Sequence, residues 1–219
     1  MTETHAPLKL VVLISGRGSN LEAILEAIDT GKLPAVVSAV ISNRADAPGL
    51  AYASERAIDT LVLDAADYPD RDAYDHALQG MIDLFNPGLV VLAGFMRILS
   101  PAFVHHYTGR LINIHPSLLP EFRGLNTHQR AIEAGTAEHG ASVHFVTEEL
   151  DGGPVIAQVR VPVLPGDDAD TLAQRVLEQE HRLYVTVIQW IAEGRVTLED
   201  DGVYFDGEVL NAPKRLETT

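Results

Sequence analysis

Leu8-Lys9-Leu10-Val11-Val12-Leu13-Ile14, running into Ser15-Gly16-Arg17-Gly18-Ser19-Asn20, decides the fold class. Only Lys9 interrupts the apolar run, which is the pattern of a strand buried on both faces of a parallel sheet. From Asn20 the period changes: Leu21, Ile24, Leu25 and Ile28 fall on one helical face, and Gly31 ends it. Strand, glycine turn and helix form the first part of a βαβ unit. The alternation then continues with strands at Val36–Ser42, Thr60–Leu63 and Leu89–Leu92 and helices at Pro48–Arg56 and Asp70–Phe85. Such regular alternation predicts a doubly wound, mostly parallel α/β sheet with right-handed crossovers, a Rossmann-like arrangement.

Beyond Ser100-Pro101, a good helix start, a short helix leads into a strand at Leu111–His115, and a further helix is expected over Asn126–Ala134. Ala141–Val146 and Pro154–Val161 read as strands joined by Thr147–Gly153. That loop is too short for a crossover helix, so the strand near residues 154–161 is expected to run antiparallel to its partner. Asp168–Ala192 is the longest helical pattern. Val196–Leu198 and Val203–Phe205 read as a small hairpin, and Asn211–Thr219 is expected to fray. No repeat, low-complexity run or linker interrupts residues 1–219, so one domain is expected.

Composition narrows the function classes. Sixteen basic residues against thirty-one acidic ones give a net charge of −15, a balance that repels nucleic-acid backbone and anionic membrane. Any phosphate ligand is therefore small and held locally. With no cysteine in the chain, disulfides and thiolate metal sites are excluded, and a cytoplasmic setting fits. The N-terminus lacks a signal-peptide core, and no apolar run approaches the ~20 residues that span a bilayer.

Two stretches carry chemistry on their own terms. In Leu111-Ile112-Asn113-Ile114-His115-Pro116 the alternation of a strand puts Asn113 and His115 on one face. Pro116 closes the strand, which places an amide beside an imidazole at the carboxyl end, where open α/β sheets gather ligands. The plainer alternative is a satisfied histidine at a strand end. Gly16-Arg17-Gly18-Ser19-Asn20, between a buried strand and a helix, suits a phosphate. Leu21 stands where a dinucleotide fingerprint has its third glycine and no Walker lysine follows, which favours a phosphate monoester. The alternative is a tight turn with Ser19 or Asn20 capping the helix.

Weaker signals surround these. Asp151-Gly152-Gly153-Pro154 is an ordinary turn unless Asp151 lies near His115, where a carboxylate would orient an imidazole. Leu92-Ala93-Gly94-Phe95-Met96-Arg97-Ile98-Leu99 opens from a strand end into an apolar loop with one cation, fit for a heterocycle; otherwise Phe95, Ile98 and Leu99 are core and Arg97 is a surface charge. His144 reads as a hydrogen-bonded sheet-face residue, and Glu180-His181 as equally consistent with surface. No His-x-His or His-x-x-x-His pair occurs and His105-His106 diverge on a helix, so no metal site is expected.

Taken together, Ile14–Asn20, Leu92–Leu99, Asn113–Pro120 and His139-Gly140 through Pro154 resemble the phosphoribosylglycinamide formyltransferases, folate-dependent enzymes of purine synthesis, over nearly the whole chain. The run Asn113-Ile114-His115-Pro116-Ser117-Leu118-Leu119-Pro120 is shared with other enzymes that use 10-formyltetrahydrofolate, so it marks the wider group. The loop Gly18-Ser19-Asn20, and a chain with room for neither a C-terminal barrel-like nor an N-terminal regulatory domain, select the member. The resemblance implies that Asn113, His115 and Asp151 are catalytic. It implies that Gly18, Ser19, Asn20 and Glu180 hold glycinamide ribonucleotide. Met96, Arg97, Ile98 and Leu99, with Thr147, Glu148, Glu149, Leu150, Asp151 and Asn113, would line the site of 10-formyltetrahydrofolate, the co-substrate, and Arg71 and Arg97 would face its anionic tail. The phosphate-binding half is expected at about 8–107, the catalytic and folate half at about 108–195, and the tail hairpin at about 196–206. Arg17 and Asn126 depart from the residues such a family leads one to expect. Partners would be small molecules only, without metal, nucleic acid or membrane, and the chain a monomer or homodimer. Transfer to another amine, or a non-catalytic phosphometabolite-binding module, are the alternatives.

Overall fold

Leu10 to Ile14 are wholly shielded from solvent, so β1 (Leu8–Ile14) is buried on both faces as its composition requires. The computed structural model describes residues 6–217, and the chain divides into two units, Met1–Arg97 and Ile98–Thr219. In the first, β1 is followed by α1 (Ser19–Asp29), β2 (Ala35–Ser42), α2 (Leu50–Ser54), β3 (Asp59–Val62), a 3₁₀ turn at Ala65–Asp67, α3 (Arg71–Asp83) and β4 (Leu89–Leu92). The strands stand in the order β4-β1-β2-β3, and every pair is parallel. Helix α1 buries Leu21, Ile24 and Leu25, each contributing roughly 2 kcal/mol of apolar burial. Helix α3 starts where Asp70 accepts the Ala73 N–H at 2.8 Å, an N-cap that satisfies one otherwise unpaired donor.

The second unit holds α4 (Pro101–His106), β5 (Leu111–His115), α5 (Thr127–Glu133), β6 (Glu138–Phe145), β7 (Val155–Pro162) and α6 (Ala169–Ala192). They are followed by β8 (Val196–Glu199), β9 (Gly202–Phe205), β10 (Glu208–Val209) and β11 (Lys214–Leu216). The order is β11-β7-β6-β5, with β8–β10 forming a separate three-stranded sheet. The expected antiparallel pairing of β7 with β6 is present. Strand β6 also runs against β5, so β6 is the reversed strand of this unit. Helix α6 is capped by Asp168, which accepts the Thr171 N–H at 2.8 Å, and it buries Leu172, Val176, Leu183, Tyr184, Val187 and Ile188. From that face the Tyr184 hydroxyl donates to the Ile112 carbonyl at 3.2 Å, bracing the strand that carries Asn113 and His115.

The strands are mostly parallel and flanked by helices, as the alternation indicated. One expectation fails: within Asn211–Thr219, Lys214–Leu216 pairs in parallel with Ala157–Val159 rather than fraying. Its stability comes from β7, a partner far away in sequence, and a three-residue segment with two charged side chains carries no local sign of it. Residues 218 and 219 lie outside the described residues. Among those described, no helix is long and apolar enough to cross a membrane.

Candidate active site

The glycine loop of the first unit is built from backbone. Ser15 follows β1, its hydroxyl donating to Asn43 Oδ1 at 2.6 Å and accepting the Met96 N–H at 2.8 Å. Gly18 then takes φ +75° and stands at the N-cap of α1, with no side chain capping the helix. A Cβ on Gly18 would lie 2.8 Å from the Gly49 Cα, so the glycine is required both by its left-handed backbone and by a close approach. The Gly49 N–H donates to the Gly16 carbonyl at 3.0 Å and fixes the turn. Neither Ser19 nor Asn20 caps the helix through its side chain, so the capping alternative fails. The loop borders a cavity of about 230 Å³ reached by Ser15, Gly16, Gly18, Ser19, Gly94 and Met96. Arg17 is exposed.

In the same unit Met96 is 70% exposed, available to a ligand. The Arg97 guanidinium lies 4.2 Å from the Tyr74 ring centroid; Tyr74 is buried, and desolvation pushes its hydroxyl up to about 12. Arg97 is therefore a stacked cation and not a freely solvated one. Arg71 opens α3 and is exposed, 3.9 Å from Asp72. In the second unit Ile98 is 60% exposed while Leu99 is buried. This divides the apolar loop between contact surface and core.

The other cluster is built from side chains. Strand register sets Asn113 opposite His144 and His115 opposite Ser142. Asn113 Nδ2 lies 3.3 Å from His144 Nε2, and His144 Nδ1 lies 2.9 Å from the Phe145 carbonyl. A carbonyl only accepts, so His144 carries its proton on Nδ1 and its Nε2 lone pair takes the Asn113 amide, which orients that amide. Burial holds the His144 imidazole below the usual histidine range, consistent with a neutral ring in this role.

Asp151 brings its Oδ2 to 3.5 Å from His115 Nδ1 and its Oδ1 to 3.9 Å from His144 Nε2. His115 is 6% exposed. The left-handed turn is made by Asp151 itself, at φ +49°, a conformation aspartate tolerates better than most residues. Gly152 and Gly153 serve close approach instead: a Cβ on Gly153 would strike the Phe145 carbonyl, and one on Gly152 the Glu149 side chain. The Gly124 N–H donates to Asp151 Oδ2 at 2.9 Å. On the far side of the ring, His115 Nε2 meets the Phe122 carbonyl at 3.1 Å.

The loop carrying Asp151 is pinned by ion pairs. Glu148 lies 2.8 Å from His105 Nε2 and Glu149 pairs with Arg123, so both carboxylates are engaged by side chains of their own unit. Thr147 is half-buried and Leu150 exposed. Glu180 is buried on α6. Asn126, the departure noted in the sequence, takes φ +57° before α5, a left-handed position that asparagine fills at little cost. Near the cluster, His139 Nε2 lies 3.2 Å from His128 Nδ1, and burial pushes His139 down to about 4. Sequence reasoning missed the Phe122 carbonyl and Gly124 amide, which carry no side-chain signal. It read His144 as a hydrogen-bonded sheet-face residue without naming the partner, Asn113, which only strand register supplies. Among the described residues no group of three or more His, Cys, Asp or Glu is arranged to hold a metal ion.

With this geometry in view, residues 8–188 match the family model described as formyl transferase. The chain belongs to the formyl transferase family. It is 55% identical over 203 residues to the phosphoribosylglycinamide formyltransferase of Escherichia coli K12, covering 93% of this chain and 96% of that one. The solved phosphoribosylglycinamide formyltransferase of Coxiella burnetii superposes with a TM-score of 0.93 at 50% identity, covering 96% of this chain and 99% of that one. The human trifunctional purine biosynthetic protein adenosine-3 is 42% identical over 194 residues, 89% of this chain and 19% of its own length. The family's mixed, mostly parallel sheet is the one found here.

Proposed function

We propose that the chain transfers the formyl group of 10-formyltetrahydrofolate to the primary amine of glycinamide ribonucleotide, in the cytoplasm, as a step of de novo purine synthesis. The observation that carries this reading is the meeting of Asn113, His115, His144 and Asp151 in one shielded cluster. An amide donor, an imidazole and a carboxylate are the groups that acyl transfer to an amine requires. Gly18, Ser19 and Asn20 are assigned the substrate phosphate, with Glu180 as a further contact, and Met96, Ile98 and the Thr147–Asp151 loop are assigned the pterin. Arg71 and Arg97 are assigned the folate's carboxylates.

In the reaction the amine nitrogen bonds to the formyl carbon and the carbonyl oxygen becomes an alkoxide. Asn113 and His115 stand two residues apart on one face of β5, so the Asn113 amide and the Nδ1–H of a protonated His115 ring are the donors offered to that oxygen. Donors fixed in advance at such a position each contribute ~3 kcal/mol. The tetrahedral intermediate then collapses by breaking the bond to the folate nitrogen. The proton released by the attacking amine passes through Asp151, directly or by one water, to the departing nitrogen, which restores the carboxylate. His144 keeps the Asn113 amide aimed while this happens.

The test is direct. Purified chain mixed with both substrates should raise the absorbance of the deformylated folate at a rate proportional to enzyme. Release that is independent of glycinamide ribonucleotide, or that requires a different amine, would overturn the assignment of the acceptor.

A further inference from the structure

We propose that residues 122–125 form a strap whose Phe122 carbonyl orients the His115 ring, and that Arg130 is the positioning residue that holds this strap. The proposal rests on the formyl-transfer reading for what His115 does, but not for how its ring is held.

The 3.1 Å contact between His115 Nε2 and the Phe122 carbonyl commits that nitrogen, because a carbonyl can only accept and the proton must sit on Nε2. Nδ1 is then the working nitrogen, and it is the one that faces Asp151. A histidine anchored through one nitrogen so that the other keeps a defined tautomer and direction is a general device of active sites. Here the anchor is a peptide oxygen, and its position depends on the path of the strap.

That path is not one the chain takes unaided. Phe122 has φ +52°, Gly124 +80° and Asn126 +57°. For an aromatic residue the left-handed region is an outlier that surrounding contacts must enforce. Five contacts do so. Arg130 Nη1 donates to the Arg123 carbonyl at 2.6 Å and to the Leu125 carbonyl at 3.3 Å, and its guanidinium sits 5.6 Å from the Phe122 ring centroid. The Gly124 N–H is taken by Asp151, and Arg123 pairs with Glu149. Every contact described for the Arg130 guanidinium goes to residues 122–125, although the side chain lies at the surface of α5. Arg130 thus grips the Arg123 and Leu125 carbonyls that follow the Phe122 turn, while the Gly124 amide couples the same strap to the carboxylate on the other side of the ring. One short segment sets both neighbours of His115.

The groups facing that ring are Asp151 from the β6–β7 loop, the His128 ring from α5 and the His139 and His144 rings from β6, whose charge interactions with His115 are felt at all three histidines. The acceptor described for Nε2 is the Phe122 carbonyl, so its loss leaves the ring without that anchor.

The test uses the full chain and the variants Arg130→Gln and Arg130→Lys. Long-range proton–nitrogen NMR correlations of the His115 ring at alkaline pH should show the proton on Nε2 in the parent chain and a mixed tautomer in Arg130→Gln. Turnover of Arg130→Gln should fall ~10-fold, with KM for both substrates held within about twofold. Arg130→Lys, whose ammonium reaches the same carbonyls, should recover most of the loss. A parent ring protonated on Nδ1, or Arg130→Gln with unchanged turnover and tautomer, would sink the proposal. A folded parent chain that transfers no formyl group while keeping its Nε2 proton would instead overturn the function proposed above and leave the anchor standing.

Discussion

At Gly16–Asn20 the backbone shapes the candidate phosphate loop, and at Asn113, His115, His144 and Asp151 side chains make the candidate catalytic cluster. In the first unit a left-handed glycine and a contact between two α-carbons leave the first turn of α1 without a side-chain cap. In the second, strand register places each polar group opposite its partner, and ordinary β backbone carries them. The contrast teaches where each site is fragile. A backbone cradle fails when a methyl group is added, and a side-chain cluster fails when a functional group is removed. The former loses its shape, while the latter keeps its shape and loses its chemistry.

The largest effect expected from this difference is at His115. Replacing it with alanine should lower turnover by ~10²–10³ and leave the circular dichroism spectrum unchanged; a comparable loss of folded protein would erase the distinction. If His115 and Asp151 act together, adding Asp151→Ala should cost less than the product of the two single losses, as for residues that function as a unit.

Next in size is an acid effect confined to the second unit. Burial pushes His139 from the usual 6.5 down to about 4, so between those values the unfolded chain binds a proton that the folded chain refuses. Stability is therefore complete above about pH 6.5 and is lost as pH falls towards 4, by ~3 kcal/mol in all. His144 is shifted in the same direction. Urea unfolding at a series of pH values should show this slope, and His139→Asn should flatten it; an unaltered slope would remove His139 from the account.

Gly18→Ala should destabilise by ~2 kcal/mol, since the new methyl meets both a positive φ and the Gly49 backbone. It should also raise KM for the phosphorylated substrate more than for the folate. Thermal unfolding and steady-state kinetics check the two halves of this expectation. The smallest effect belongs to Tyr184→Phe, which removes the hydroxyl bonded to the Ile112 carbonyl and should cost ~1 kcal/mol. Turnover should barely move, because the brace acts on β5 rather than on a reacting group.

The same contrast governs what was legible in the sequence. Local period and punctuation located nearly every helix and strand, and β1 and β5 have the bounds read from their residues. Strand β6 starts at Glu138 rather than Ala141, since His139 and Gly140 look like a turn until Gly140 is found pressed against the Val159 carbonyl. Strand β11 escaped because its partner, not its composition, makes it a strand. Within the site, Asn113 and His115 were readable from alternation. The Phe122 carbonyl was not, because a peptide oxygen has no letter of its own. Glu148 and Glu149 pair with His105 and Arg123, contacts that no local pattern announces because only tertiary folding creates them.

The meeting of Gly18 with Gly49 has a consequence for redesign. Each α-carbon fills the volume the other's side chain would occupy, so the two positions cannot be relieved by compensating changes in the way a large and a small residue trade places across a core. A library built on this loop should keep both glycines fixed and randomise Arg17, which is exposed, and Ser19, which is half-buried at the edge of the cavity.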